Sequence, residues 1–209
     1  MHIPDGFLSN GINVATFVVS AGACAYGVKK VNQNFGEREV PLMGVTAAFI
    51  FAAQMMNFPV AGGTSGHLLG GALAAILLGP WAAIIVMTAV VGVQALVFQD
   101  GGLMALGANI FNMGIVAVLA SYFPYRAVFA LAKHGKAGRL IGAGIAGWLS
   151  VVLSALFCAF ELALSGTSPW AMVVPAMGII YGIIGLGEGL ITVAILALVM
   201  STRADLLEL

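Results

Sequence analysis

The residues able to do chemistry in this chain stand at its very start. A chain that begins Met1-His2 offers three nitrogens in a row: the amine of Met1, the main-chain nitrogen of His2 and the His2 imidazole. Amine and amide close a five-membered ring on a metal ion, and the amide with Nδ1 of the same histidine closes a six-membered one. Both rings are unstrained and lie near one plane. A fourth nitrogen completes a square, and square-planar nitrogen coordination suits Ni(II) or Cu(II) rather than Zn, Mg or Ca. The natural fourth donor is His67, at the end of a loop dense in Gly, Ser and Thr. The competing readings are a frayed terminus for His2 and a helix-capping or internally satisfied histidine for His67. Pro4 fixes φ and Gly6 accepts positive φ, so the first residues carry turn chemistry that a loose tail does not need.

The scaffold that must hold these nitrogens is a membrane protein. Of 209 residues, 61% are hydrophobic and 8% charged, against the ~25% charge of an ordinary globular domain. That is too little charge to cover a surface in water. A net charge of zero leaves no nucleic-acid footprint. No basic residue precedes the first apolar run, as a cleavable signal peptide requires, so the first segment is expected to stay. Cys24 and Cys158 lie in apolar runs and read as small buried hydrophobes. The whole chain, 1–209, reads as one transmembrane domain, with 1–9 as the metal-binding segment and 57–67 as the outer loop of the site.

The apolar runs predict seven segments, at about 10–28, 41–57, 68–78, 80–98, 103–123 with an extension open as far as 132, 140–164 and 171–200. Pro41 opens the second, and Gly79-Pro80 splits the third from the fourth. All eight basic residues (Lys29, Lys30, Arg38, Arg126, Lys133, Lys136, Arg139 and Arg203) fall in two connections or near the carboxyl end. The positive-inside rule then puts the amino end outside and the carboxyl end in the cytoplasm. The third segment, about 12 residues or ~18 Å, is shorter than a ~30 Å hydrocarbon core, so the 57–67 loop should dip into the protein. Irregular backbone at that depth must be buried in protein or line a cavity.

Polar residues in or beside these runs need partners. Gln94, Gln99 and Asn109 could orient the imidazoles or pin helices together, with the first role favoured for Asn109; Ser65 could do either. Glu161 reads as interfacial. Glu188, flanked by Gly187 and Gly189, lies deep and has no partner legible in the sequence. His134 belongs to the solvated basic stretch. Gly44, Ala48 and Ala52, four apart, make a small-residue helix face, either for packing within the chain or for another subunit. There is no Walker A motif, since Gly135-Lys136 is followed by Ala137, and no HExxH, so energy for uphill transport would have to come from partners or a gradient. A stand-alone divalent-cation carrier or channel stays open, as does a membrane scaffold or an intramembrane enzyme built on Glu188.

MHIPDGFLS at the start, GTSGHLLGG and LLGPW around and after His67, and VFQDGGLMALGANIFNM at 97–113 together resemble the substrate-binding component of energy-coupling-factor nickel/cobalt transporters, the NikM/CbiM family. The resemblance covers nearly the whole chain. It implies an all-α seven-transmembrane-helix bundle with an extra N-terminal helix in a prokaryotic cell membrane. It implies Ni(II) or Co(II) held by the amine of Met1, the amide and imidazole of His2, and His67. It also implies partners: a transmembrane coupling subunit, two cytoplasmic ATPases that do the ATP hydrolysis, and a small accessory membrane protein. Gly44, Ala48 and Ala52 then become a candidate docking face for the coupling subunit. The PDG that follows His2 and Ile3 is nearer the nickel branch than the cobalt branch.

Overall fold

The computed structural model describes residues 1–36, 39–56, 58–60 and 64–207, of which 58–60, 64 and 65 are described in backbone only. Of the sequence expectations, Arg38 in the first connection and the backbone of Asn57 and 61–63 in the loop lie outside the described residues, as does the side chain of Ser65.

A chain so apolar must satisfy its backbone within each segment, because lipid offers no hydrogen bonds, and helices do this. The order is α1 (Asn10–Asn34), α2 (Glu39–Gln54), a hairpin of β1 (Phe58–Val60) and β2 (Thr64–Gly66), α3 (Gly71–Val97), α4 (Leu106–Ile110), a π-helical turn (Phe111–Val116), α5 (Ala117–Leu131), α6 (Lys136–Leu164), α7 (Trp170–Thr202) and a last 3-10 turn (Ala204–Leu207). From Leu106 to Leu131 the chain runs on as one rod. Among the described residues five helices are long and apolar enough to cross a membrane, and α2 is shorter but equally apolar. Large apolar side chains such as Val18, Ile183, Leu190 and Leu131 face outward. A helix apolar all round belongs in lipid or in a core, and this is a multi-pass membrane protein.

Several boundaries differ from expectation. The first helix runs on through Lys29-Lys30 to Asn34, because Lys, Asn and Gln do not stop a helix as Gly or Pro does. The second opens at Glu39, not Pro41, and stops at Gln54 rather than 57; Pro41 sits inside the first turn, where its missing N–H has no helical partner to lose. The sixth segment begins at Lys136 rather than 140. The predicted third and fourth segments form one element with a break at Gly79 (φ 74°, ψ 170°) just before Pro80. The loop predicted as irregular contains an antiparallel hairpin that pairs Phe58 with Gly66, Pro59 with Ser65 and Val60 with Thr64. Phe, Val and Thr favour strands, and a two-stranded hairpin leaves every strand an edge, where Pro59 is tolerated.

The core runs between α3, α5, α6 and α7. α6 and α7 cross at Gly147 and Gly189. A methyl built on Gly147 would stand 2.8 Å from the Gly189 Cα, so no larger residue fits without separating the helices. This crossing turns Glu188 inward.

Candidate metal centre

The first residues do not hang free. Met1 and Ile3 are fully buried and His2 is 3% exposed. Ile3 is held through its main chain. Its N–H donates to Asn109 Oδ1 at 2.8 Å, and its carbonyl accepts from Asn109 Nδ2 at 3.1 Å and from the Gly102 N–H at 2.8 Å. Asp5 accepts from the N–H groups of Leu103, Met104 and Ala105, capping the turn that starts the rod at Leu106. Further on, Thr167 donates to the Phe7 carbonyl and the Ser9 N–H donates to Ser165 Oγ at 3.0 Å. The segment is laced to two turns of the bundle, those at 100–105 and 165–167.

This docking brings Met1, His2 and His67 together. The Met1 amino nitrogen lies 3.1 Å from His67 Nε2. The two imidazole rings sit 4.8 Å apart at 33°. Each ring has one nitrogen committed elsewhere. His2 Nε2 is 2.9 Å from Gln94 Oε1, an acceptor, so Nε2 carries the proton and Nδ1 keeps its lone pair. That Nδ1 is buried with no hydrogen bond, 3.5 Å from Asp100 Oδ1. His67 Nδ1 donates to the Leu68 carbonyl at 2.7 Å, which frees Nε2 as a lone-pair donor facing the amine. Fixing a ligand tautomer through its far nitrogen is how protein metal sites aim imidazoles.

Burial also sets protonation. Loss of solvent lowers the Met1 amine from its ordinary 8.0 to about 5, against small opposing effects of Cys158 and Asp100. It lowers His2 from 6.5 to about 4, helped by the nearby amine and opposed by Asp100 and the Gln94 hydrogen bond. It pushes His67 well below its usual value, with the amine and His2 adding to the effect. At neutral pH all three groups are uncharged bases with lone pairs to give. Among the described residues no three His, Cys, Asp or Glu side chains converge as a metal cage.

The neighbouring residues divide. Gln94, left open between orienting an imidazole and pinning helices, bonds both Gln54 of α2 and the His2 ring. Asn109 does not: it grips the Ile3 backbone, and so positions His2 through the chain rather than through its ring. Gln99 is exposed. Glu161, expected at the interface, is buried and accepts from Asn112 Nδ2 of the π-helical turn at 2.6 Å. Glu188, for which the sequence named no partner, accepts from the N–H groups of Leu69 at 2.8 Å and Gly70 at 2.6 Å, two and three residues after His67. Gly44, Ala48 and Ala52 are exposed, and Ala48 borders a groove against Ala89 and Val93 of α3. Sequence reasoning missed Gln54, which is fully buried and joins Gln94 to Leu69. Its one signal was an amide inside an apolar run.

Comparison with known proteins places the chain as a whole. The model of the family described as cobalt uptake substrate-specific transmembrane region matches residues 2–206. A protein of Archaeoglobus fulgidus, named a putative fused nickel transport protein, is 41% identical over 210 residues, covering 100% of this chain and 68% of its own. One of Pelobacter propionicus, named cobalt transport protein CbiM 1, is 35% identical over 218 residues, covering 99% of this chain and 94% of its own. A crystal structure titled a truncated transition metal transporter superposes with a TM-score of 0.89 at 34% identity, covering 96% of this chain and 99% of that one.

Proposed function

This chain belongs to the cobalt uptake substrate-specific transmembrane region family, and from that premise we propose that it captures Ni(II), or the related Co(II), at the outer face of a prokaryotic cell membrane. In this reading it is the substrate-binding component of an ATP-driven energy-coupling-factor importer. The ion is held by the Met1 amine, the His2 main-chain nitrogen, His2 Nδ1 and His67 Nε2. The observation that carries the reading is the convergence of the buried Met1 amine with His67 Nε2, which accepts from it, and with His2 Nδ1, which has no hydrogen bond, on two imidazoles whose tautomers are already fixed.

The chemistry explains why a buried site accepts a divalent ion. An ion stripped of water in a low-dielectric interior is costly unless its charge is met. The His2 amide loses its proton on binding and supplies one negative charge at bonding distance. Asp100, 3.5 Å from His2 Nδ1, supplies more field from beside the ring. A square of nitrogens suits d8 nickel and disfavours zinc, which takes a tetrahedron. Copper would suit the same square and bind more tightly, so selection against copper rests on supply. Gln94 and Asn109 hold the square open: one orients the His2 ring, the other fixes the strand that carries it.

The amino end lies outside and the carboxyl end inside, in keeping with the distribution of basic residues. ATP hydrolysis falls to two cytoplasmic ATPases, reached through a transmembrane coupling subunit with a small accessory membrane protein. The exposed Gly44, Ala48 and Ala52 stripe of α2 is the docking face for the coupling subunit. The experiment is metal analysis and visible absorption of purified protein with Met1 as its first residue, beside cellular uptake with and without the ATPases. One equivalent of nickel in a planar spectrum, with uptake only when the ATPases are present, is the expected result. Uptake by the chain alone would replace the importer with a carrier.

A further inference from the structure

The site is joined to α2 by a chain of amides that all point one way. His2 Nε2–H donates to Gln94 Oε1 at 2.9 Å, Gln94 Nε2 donates to Gln54 Oε1 at 2.9 Å, and Gln54 Nε2 donates to the Leu69 carbonyl at 2.5 Å. The Leu69 N–H continues the line to Glu188 on α7. Gln54 and Gln94 are fully buried, so neither amide can turn to water instead. Each amide uses its oxygen on one side and its nitrogen on the other, so reversing one would leave two donors or two acceptors facing each other. The chain therefore has a single direction, from the His2 ring to the loop that carries His67.

Gln54 is the member on α2. That helix buries Thr46, Ile50 and Gln54 and turns Gly44, Ala48 and Ala52 outward. The buried side of the helix meets the turn after His67 through Ile50, which packs on Gly70, and makes its hydrogen bonds to it through Gln54, while the other side is open. We propose that Gln54 is a positioning residue for the metal site, holding His2 through Gln94 and the His67 loop through Leu69, and that metal occupancy and the position of α2 are tied through it. This rests on the reading that His2 and His67 bind the ion.

The physical reason is polarisation. A divalent ion on His2 Nδ1 withdraws electron density from the ring and makes Nε2–H a stronger donor. Serial hydrogen bonds in a low-dielectric interior strengthen one another, so the bonds to Gln54 and Leu69 tighten when metal arrives. In the other direction, a displacement of α2 pulls on both amide contacts at once. It loosens the ring of one ligand and the loop of the other.

The test compares wild type and Gln54→Met, a near-isostere without hydrogen-bonding capacity, both starting at Met1. Nickel alone is the probe, read by affinity, dissociation rate and amide hydrogen exchange at 52–55 with and without metal. Gln54→Met should weaken nickel binding by roughly 10–100-fold, the range for loss of an outer partner of a ligand, with faster release. Nickel should slow exchange at 52–55 in the wild type and leave it unchanged in the variant. Equal affinity, or an exchange rate raised by the substitution to the same extent in both metal states, overturns the proposal and leaves Gln54 a packing residue. If the variant does not fold, the wild-type exchange decides alone: no nickel-dependent slowing at 52–55 overturns the proposal. A wild type that takes up no planar nickel defeats the underlying reading instead, and the inference with it.

Discussion

The amino nitrogen of Met1 and Nε2 of His67 lie 3.1 Å apart although 66 residues separate them in the chain. The space around the amine is closed, since Met1 is fully buried. One residue added before Met1 would replace a basic amine with a peptide nitrogen and force a further residue into that space. Nickel binding should fall below detection by calorimetry, while a tag at the carboxyl end should leave it unchanged. Retained binding in the extended protein would remove the amine from the ligand set.

His2→Ala and His67→Ala should each abolish nickel binding and leave the helical circular dichroism spectrum intact. Each buried ring is held by hydrogen bonds, His2 to Gln94 and His67 to the Leu68 carbonyl and the Met1 amine, and neither belongs to one of the helices. Loss of helicity together with binding would mean that the rings hold the fold rather than the ion.

Protonation behaves differently from what free groups would suggest. The amine at about 5 and His2 at about 4 are bases whose values fall on folding from 8.0 and 6.5. Between the two values of each group the unfolded chain binds more protons than the folded one. Docking of the segment therefore gains stability as pH rises, across about 5 to 8 for the amine and about 4 to 6.5 for His2, and acid releases it. At neutral pH the amine has no proton to lose on metal binding, so only the His2 amide releases one. Calorimetry in buffers of different ionisation enthalpy should count about one proton per nickel above pH 6, with more below pH 5 as the amine begins to compete. A count of two at neutral pH would mean an amine still protonated in the folded protein.

What was legible in the sequence follows from where the chemistry resides. Met1, His2 and His67 announce themselves by residue type, because few groups offer planar nitrogen donors. The apolar runs announced the helices, and Gly79-Pro80 the break in α3. Contacts made by the main chain were not legible. Glu188 seemed partnerless because its partners are the N–H groups of Leu69 and Gly70. Asn109 was expected at an imidazole and instead grips the backbone of Ile3. Gln54 resembled any amide in an apolar helix until the fold set it between Gln94 and Leu69. The hairpin at 58–66 was hidden by its breakers, since Pro59 and the glycines outweigh three strand-forming side chains in any local reading.

Gly102 tests whether docking of the first residues can be separated from the rest of the fold. Its N–H holds the Ile3 carbonyl at 2.8 Å, and a methyl built on it would overlap the backbone nitrogen and carboxylate of Asp5. Gly102→Ala should push the 1–8 segment off its seat, because Asp5 is fixed by three N–H groups and cannot retreat without losing them. Most of the helix packing is through α3, α5, α6 and α7, with Met1, Ile3 and Leu8 of the segment seated on that core. The expected outcome is a folded bundle with nickel affinity lowered by at least tenfold, a loss of about 1.4 kcal/mol or more, and with protease cleavage near the amino end. Wild-type affinity in this variant would mean that the segment tolerates a shift of its whole backbone.

Glu188 distinguishes metal capture from intramembrane chemistry. Its carboxylate closes the turn after His67 from the α7 side, taking both N–H groups, while Gln54 takes the Leu69 carbonyl from the α2 side. Glu188→Gln keeps one acceptor oxygen and turns an NH2 group toward the other N–H, so one buried donor loses its partner. The cost of such a group, about 1–3 kcal/mol, falls on the turn that carries His67, not on the metal bonds. Nickel affinity should drop about tenfold with the planar spectrum unchanged in wavelength, and Glu188→Leu, which removes both acceptors, should drop it further. A carboxylate with a chemical role of its own would give a different pattern, in which metal binding stays at the wild-type level while uptake into cells is lost. Titrating both variants with nickel and measuring uptake in the same cells separates the two outcomes.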